Sequence, residues 1–235
     1  MARRPYGLFC PISLACEVLE PRWTIQILTE LWQGTTRFND IRRGLGNISS
    51  ALLAKRLKEM EALGLVERVE DKVKGSVSYF RTEKAIRLEP VMDALAAWAQ
   101  CNIEAEVALG GGDVSTLMWS VRRMIDLAQL PRRRAVICFH FRDDPPPASP
   151  RFWIVIEPGA DLPELCWRDP GREVDLYVET GVQVLAAIIE GRSSFEREKE
   201  RGSVFLSGDI GLGRSMGRWL RRSTYASLEG VLPLS

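Results

Sequence analysis

Histidine is nearly absent from this 235-residue chain: His140 stands alone. The five cysteines (Cys10, Cys16, Cys101, Cys138, Cys166) include no C-x-x-C pair. That scarcity argues against a zinc site and a disulfide framework, and fits a reducing cytoplasm. No uninterrupted apolar run approaches the roughly 18 residues of a membrane helix, so no membrane association is expected. The start, MARRPYGLFCPISLAC, has early arginines and a short apolar patch, but Pro11 interrupts it and Glu17 follows. A secretory signal is therefore not expected. A reactive constellation is lacking too. His140 lies between Phe139 and Phe141 at strand spacing with no serine or cysteine motif beside it, and Asp143-Asp144 runs into prolines. The reading is a protein that is not an enzyme and needs no metal or cofactor.

One stretch, VFLSGDIGLGRSMG at 204–217, has the look of a phosphate cradle. Its glycines, Gly211, Gly213 and Gly217, are spaced G-x-G-x-x-x-G, one residue off a dinucleotide fingerprint. Such a fingerprint also needs an acidic residue about 20 positions on, at the end of a second strand. The chain after Gly217 holds no convincing strand, and the G-K-S/T ending of a P-loop is missing. The cradle reading fails.

What is present is an ordinary globular composition, 46% hydrophobic and 27% charged, with a net charge of +1 that is unevenly spread. Between Arg37 and Lys58 the bases are Arg37, Arg42, Arg43, Lys55, Arg56 and Lys58, against Asp40 alone. A solvated helix face and a polyanion footprint both produce such a cluster, and spacing has to arbitrate. Pro11 suits the first helical position of a helix that Pro21 stops. A second helix is expected from Arg22 to Gln33 with Gly34 as its stop, and a short one from Arg37 to about Leu45, closed by Gly46. Asn47, Ile48 and Ser49 form a turn in which Ser49 can cap the next helix, SSALLAKRLKEMEAL. At about 100° per residue Leu53, Leu57 and Met60 share one stripe. Ala51, Lys55 and Lys58 fall opposite, flanked by Ser50 and Ala54. Small and basic residues let a helix backbone approach a phosphate-lined groove. Two helices joined by a tight turn form a helix-turn-helix, whose second helix belongs in the major groove. Strands at Leu65–Val69 and Val77–Arg81, with Lys72, Lys74 and Gly75 in the loop between them, make a basic-tipped wing.

The residues from Cys10 to about 100 resemble the HxlR family of bacterial winged-helix transcription regulators. The likeness is carried by Cys10-Pro11, Arg22-Trp23-Thr24, Arg37-Phe38, Ile48-Ser49 before Leu53-x-x-Arg56-Leu57, Leu63-Gly64-Leu65-Val66 and Tyr79. It implies a dimeric DNA-binding repressor or activator. One departure is that many members carry proline and a basic residue just inside the recognition helix, where this chain has Ser50 and Ala51. DNA-binding residues are expected to be Arg37, Ser49, Ser50, Ala51, Ala54, Lys55, Lys58, Lys72 and Lys74. A long helix is expected from Glu83 to about Leu109, kinked at Pro90, with Leu88, Val91, Met92, Leu95 and Trp98 in a stripe suited either to the core or to pairing of two copies. Some relatives use an N-terminal cysteine as an oxidation sensor, which makes Cys10 a redox candidate; its alternative is a small apolar residue on the dimer helix.

Gly110–Gly112 reads as a linker, dividing the chain into 1–109, the winged-helix and dimerisation domain, and 110–235. Beyond it a helix capped by Ser115 should run to Leu130, followed by strands at Ala135–Phe141, Phe152–Glu157 and Arg172–Val178. The Pro-rich DDPPPASP between the first two reads as a stiff exposed loop. Helices at Val182–Glu190 and Phe195–Arg201, a strand at Val204–Ser207 and a helix at about Ile210–Leu220 complete an α+β layer. Asp175-Leu176-Tyr177-Val178, the helix through Val184 to Ile189, Glu190-Gly191 and Val204 to Asp209 resemble the sterol-carrier type of lipid-binding domain. That resemblance implies a twisted sheet packed by helices around an apolar tunnel, with Gly208-Asp209 as a strand-to-helix turn in which Asp209 caps the helix. Trp119, Phe139, Trp153, Ile188, Phe205, Met216 and Trp219 either line such a cavity or fill a solid core.

The expected whole is an α+β protein: an N-terminal winged helix-turn-helix followed by a mixed sheet-and-helix, sterol-carrier-like domain. It is a cytoplasmic homodimer that binds double-stranded DNA and senses a hydrophobic small molecule. The competing classes are a lipid or small-molecule carrier with an accessory DNA-binding domain, and a cysteine-based redox regulator.

Overall fold

Helix-forming spacing dominates the first ninety or so residues, and the chain folds accordingly. The computed structural model describes residues 6–143 and 150–234. Arg3, Arg4 and the stretch from Asp144 to Ser149, with the prolines of the expected stiff loop, lie outside the described residues. The chain forms two compact units, Met1–Asp93 and Ala94–Ser235.

In the first unit, α1 (Pro11–Leu19) has its proline in the first turn, as expected, and buries none of its residues. α2 (Thr24–Trp32) begins two positions later than its sequence pattern suggests, because Trp23 has a left-handed backbone, φ 82°. It buries Ile27, Leu28 and Leu31 against Ile41 of α3 (Phe38–Leu45). α4 (Ser50–Ala62) starts at Ser49, whose hydroxyl accepts the Leu52 N–H at 3.2 Å. An N-cap of that kind stabilises by about 1 kcal/mol. Strands β1 (Val66–Asp71) and β2 (Ser76–Arg81) pair antiparallel, from Val66 opposite Arg81 to Asp71 opposite Ser76. The chain before α3 adds a third rung, with Arg37 bridging to Ser78 and Tyr79 N–H donating to the Thr36 carbonyl.

The single helix expected over Glu83–Leu109 is instead three: α5 (Glu83–Ile86), α6 (Glu89–Asn102) and α7 (Ala105–Leu109). Pro90 begins a helix here, where its missing N–H costs nothing, and does not kink one. The second break is the extended backbone at Glu104, φ −54° and ψ 144°. The units divide inside α6, upstream of Gly110–Gly112. The cause is burial: Ala105 and Leu109 pack on Ala187 of the second unit's α9 (Val182–Ile189).

In the second unit, α8 (Val114–Met124) is capped by Asp113, which accepts from Thr116 N–H at 2.9 Å; Ser115 is not the cap. It ends before the expected Leu130, where Ile125 turns extended and bridges to Leu220. A five-stranded sheet follows in the order β5-β4-β3-β6-β7. Its strands are β3 (Ala135–Phe141), β4 (Arg151–Ile156), β5 (Glu164–Cys166), β6 (Leu176–Thr180) and β7 (Phe205–Gly208). β3 is antiparallel to β4 and parallel to β6. The parallel pairing needs a long connection, and the segment after edge strand β5 supplies it. α10 (Phe195–Glu200), α11 (Ile210–Arg214) and α12 (Met216–Trp219) complete the unit, the expected Ile210–Leu220 helix being broken at Ser215. Asp209 caps α11 as expected, accepting from Gly211 and Leu212 N–H.

Strand alternation sorts the sheet's residues between two faces. Ala135, Ile137, Phe139 and Phe141 of β3 join Phe152, Ile154 and Ile156 of β4 in the main core, under α8, α9, α11 and α12. Val136 and Cys138 join Trp153 and Val155 in a smaller cluster on the other face. Fully burying a side chain the size of Phe139 contributes about 2–3 kcal/mol.

Candidate nucleic-acid interface and apolar pocket

α4 carries its polar side chains on one side because its leucines are spent on the core. Leu53, Leu57 and Met60 are buried, while Ser50, Ala51, Ala54, Lys55 and Lys58 are exposed. Lys55 has only a 4.0 Å approach to Glu59 and keeps 67% of its side chain exposed, so its ammonium is free for a phosphate. Arg56 is different: it folds back onto Glu59 at 2.5 Å, is 21% exposed, and drops out of the outward face. Arg42 and Arg43 of α3 are exposed, and Arg42 reaches the Ser50 hydroxyl at 3.4 Å. Neither arginine stands among the sequence-derived contacts, although the local charge excess contained both.

Arg37 is exposed and donates to the Val77 carbonyl at 3.4 Å, which ties the start of α3 to the wing. The wing tip is held by Asp71, whose carboxylate accepts from both Val73 and Lys74 N–H at 3.0 Å. Lys72 and Lys74 are thereby presented to solvent on either side of Val73. Helix face and wing therefore belong to one hydrogen-bonded unit, and all nine sequence-derived contact residues are exposed on it.

The seven residues expected around a cavity in the second unit do not converge. Trp119, Phe139, Met216 and Trp219 interlock in the main core, with the Trp219 indole N–H donating to the Leu212 carbonyl at 3.0 Å. Trp153 lies on the opposite sheet face. Phe205 is 47% exposed, with the Arg142 guanidinium 4.6 Å from its ring centre. The physical reason is the period of two: Trp153 alternates with Phe152 and Ile154, and Phe205 with Leu206, so they point away from the helices. An open pocket of about 220 Å³ does exist, between the end of α9, the start of α10 and α12. Of the seven, only Ile188 and Met216 line it, together with Ser194, Phe195, Glu196, Gly217, Leu220 and Arg222. His140 is held below its ordinary pKa by burial and by the nearby Arg151 and Arg142.

All five cysteines are free thiols. Cys10 is exposed immediately before α1, and the backbone N–H groups of Ser13 and Ile12 hold its thiol below the ordinary value. Burial does the opposite to Cys138, pushed up to about 11, and also raises Cys166. Among the described residues no group of three or more His, Cys, Asp or Glu could hold a metal ion, and no helix is long and apolar enough to cross a membrane.

Helices α1 to α3, the basic outer face of α4 and the paired β1–β2 hairpin make the arrangement of a winged helix-turn-helix DNA-binding domain. The HxlR-like helix-turn-helix family matches residues 18–107. The uncharacterised HTH-type transcriptional regulator YvaP of Bacillus subtilis is 35% identical over 92 residues, covering 38% of this chain and 85% of that one. The HTH-type transcriptional regulator YodB of the same organism is 38% identical over 92 residues, covering 38% of this chain and 82% of its own. The solved reduced form of YodB is 32% identical, covers 45% of this chain and all of that one, and has a TM-score of 0.37. The chain belongs to the HxlR-like family and is a transcriptional regulator with a helix-turn-helix DNA-binding domain.

Proposed function

We propose that the protein is a sequence-specific regulator that binds double-stranded DNA as a homodimer and senses a hydrophobic small molecule through its second unit. The observation that carries the DNA reading is the division of α4, with Leu53, Leu57 and Met60 buried and Ser50, Ala51, Ala54, Lys55 and Lys58 in solvent. α4 enters the major groove, with Lys55 and Lys58 on phosphate and the small residues letting the backbone close on base edges. Ser49 and Arg37 orient the helix and its neighbour, and Lys72 and Lys74 reach the adjoining backbone.

Two unburied apolar stripes support pairing. Phe9 and Ile12, at and just before the start of α1, are 92% and 74% exposed. On α6, Val91, Leu95 and Trp98 are 49%, 49% and 59% exposed at helical spacing, whereas Met92 is buried. A second copy covers them and fixes the separation of the two recognition helices.

The sterol-carrier resemblance is supported by the mixed sheet with helices packed on one face and by the pocket beside Ile188 and Met216. Its volume of about 220 Å³ lies below the roughly 300–1,000 Å³ of sites that enclose drug-sized ligands, which favours a short acyl chain or a single ring. Such a ligand changes DNA affinity only if it binds the two conformations of the regulator unequally.

The test is selection of bound duplexes from a random pool, followed by anisotropy titrations of the winners at several salt concentrations. A strong sequence preference is the expected result; a salt slope without preference leaves only a carrier anchored to DNA. A second reading, oxidation sensing at Cys10, is favoured by its exposed, acidified thiol. Mass spectrometry after mild peroxide decides it: a Cys10 that stays a free thiol ends that reading.

A further inference from the structure

Arg192 joins α9 to α10 and is a buried cation, 3% exposed. Its guanidinium donates to Gln100 Oε1 at 3.1 Å, to the Ile103 carbonyl at 2.9 Å and to the Leu232 carbonyl at 3.1 Å. All three acceptors are neutral. Its own backbone is committed as well: its N–H donates to the Ala187 carbonyl and its carbonyl accepts from Leu234 N–H, both at 2.8 Å. Gln100, in the last turns of α6 and 7% exposed, reaches back through Nε2 to the Glu190 carbonyl at 2.7 Å, and its carbonyl accepts from Leu232 N–H at 3.3 Å. One side chain thus ties the α9–α10 link, the end of α6 and the C-terminal segment together. A guanidinium stripped of acceptors in the interior is strongly unfavourable, so the three pieces shift together or the cation is exposed.

The same link is the wall of the pocket. Ser194, Phe195 and Glu196 face the cavity, and Ser193 stands between them and Arg192. Ser193 is itself fixed, its N–H on the Ala187 carbonyl at 3.1 Å and its hydroxyl on the buried Glu198 carboxylate. Gly191, at φ +74°, turns the chain so tightly against Ala226 that no side chain fits there. The link therefore has little slack with which to absorb a displacement of its far end.

We propose that Arg192 is a positioning residue that couples occupancy of the pocket to the C-terminal half of α6, the helix whose first turn belongs to the DNA-binding unit. The proposal rests on reading the pocket as an effector site. An occupant pushes the Phe195 wall away from α12, the link follows, and the guanidinium loosens its hold on Gln100, Ile103 and Leu232. Coupling of this kind requires a chain of packed and hydrogen-bonded groups with two arrangements, and the Arg192 cluster supplies the chain.

Gly217 permits a test that needs no ligand. It lines the pocket, and a Cβ added there meets nothing within 4 Å, so Gly217→Leu adds apolar bulk to the pocket lining without a clash at its Cβ. Amide hydrogen exchange is followed by mass spectrometry on the full chain. In Gly217→Leu, peptides spanning 100–103 and 232–234 are expected to exchange roughly fivefold faster than in the wild type, while Ile27–Leu31 of the first unit is unchanged. Adding Arg192→Met erases the difference between glycine and leucine at 217. Gln100→Met, which spares the two carbonyl acceptors, reduces it and serves if Arg192→Met does not fold. Wild-type rates at 100–103 and 232–234 in Gly217→Leu, or an acceleration that survives loss of Arg192, overturn the proposal. Calorimetric titration with hexanoic acid runs alongside. Failure of the wild type to bind that probe saturably counts against the effector reading alone, because the exchange measurement contains no ligand.

Discussion

Replacing Lys55 and Lys58 by alanine should flatten the salt dependence of DNA binding by a calculable amount. Both ammonium groups are exposed on the outer face of α4, and Lys55 is held only by a 4.0 Å approach to Glu59. An exposed pair of that geometry is worth well under 1 kcal/mol, and alanine is a better helix former than lysine. The fold is therefore expected to survive, with stability within about 0.5 kcal/mol of wild type by denaturant titration. Each phosphate deprived of its ammonium partner lowers the slope of log K against log salt by about 0.9, so the two lysines account for about 1.8 per helix and twice that for a pair of helices. Between 50 and 200 mM salt the affinity advantage of the wild type then shrinks about tenfold per helix. Fluorescence anisotropy with a selected duplex at four or five potassium chloride concentrations measures it. An unchanged slope, with the variant folded, would refute the assignment of this face to DNA.

Other outcomes follow from the packing and from the thiols. Phe139→Ala, at a fully buried site in the middle of the sheet, should cost about 3–5 kcal/mol in urea unfolding; a loss below 1 kcal/mol would mean that a cavity already adjoins it. Gly208, at φ +114° and with Asp175 pressed against its missing side chain, should lose several kcal/mol on change to alanine, read as a drop in Tm. Because its pKa is lowered, Cys10 holds more thiolate at neutral pH than an ordinary cysteine and should be alkylated by iodoacetamide first. Cys138, at about 11, is only about a thousandth thiolate at pH 8 and should label last, and equal rates at the two sites would contradict the environments described.

The legible parts of the fold were those where local pattern and burial agree. The Leu53, Leu57, Met60 stripe, the Ser49 and Asp209 caps, and the alternation in β3 and β4 follow from periods of 3.6 and 2 and from side chains that bond their own backbone. β5 was hidden because three residues carry no period, and Glu164 to Cys166 becomes a strand only by pairing with β4. The continuous helix expected from Glu83 failed because apolar spacing persists across two interruptions, one between Ile86 and Glu89 and one at Glu104, that only backbone geometry reveals. At the pocket, apolar character identified Ile188 and Met216, but which face Trp153 and Phe205 occupy depends on strand register, and Phe195 and Gly217 meet only through tertiary folding. Arg42 and Arg43 were visible as charge; that Arg56 turns away is decided by Glu59 one turn on.

α6 begins with Glu89 in one compact unit and ends with Asn102 in the other, where Gln100 receives Arg192 and α7 supplies Ala105 and Leu109 to cover Ala187. Scissors applied at the triple glycine would therefore maim the downstream piece, stripping a guanidinium of its amide oxygen and baring an alanine meant to stay dry. A soluble, well-behaved C-terminal fragment ought to start near Ala94, and its superiority over one starting at Gly110 can be seen in a single melting experiment.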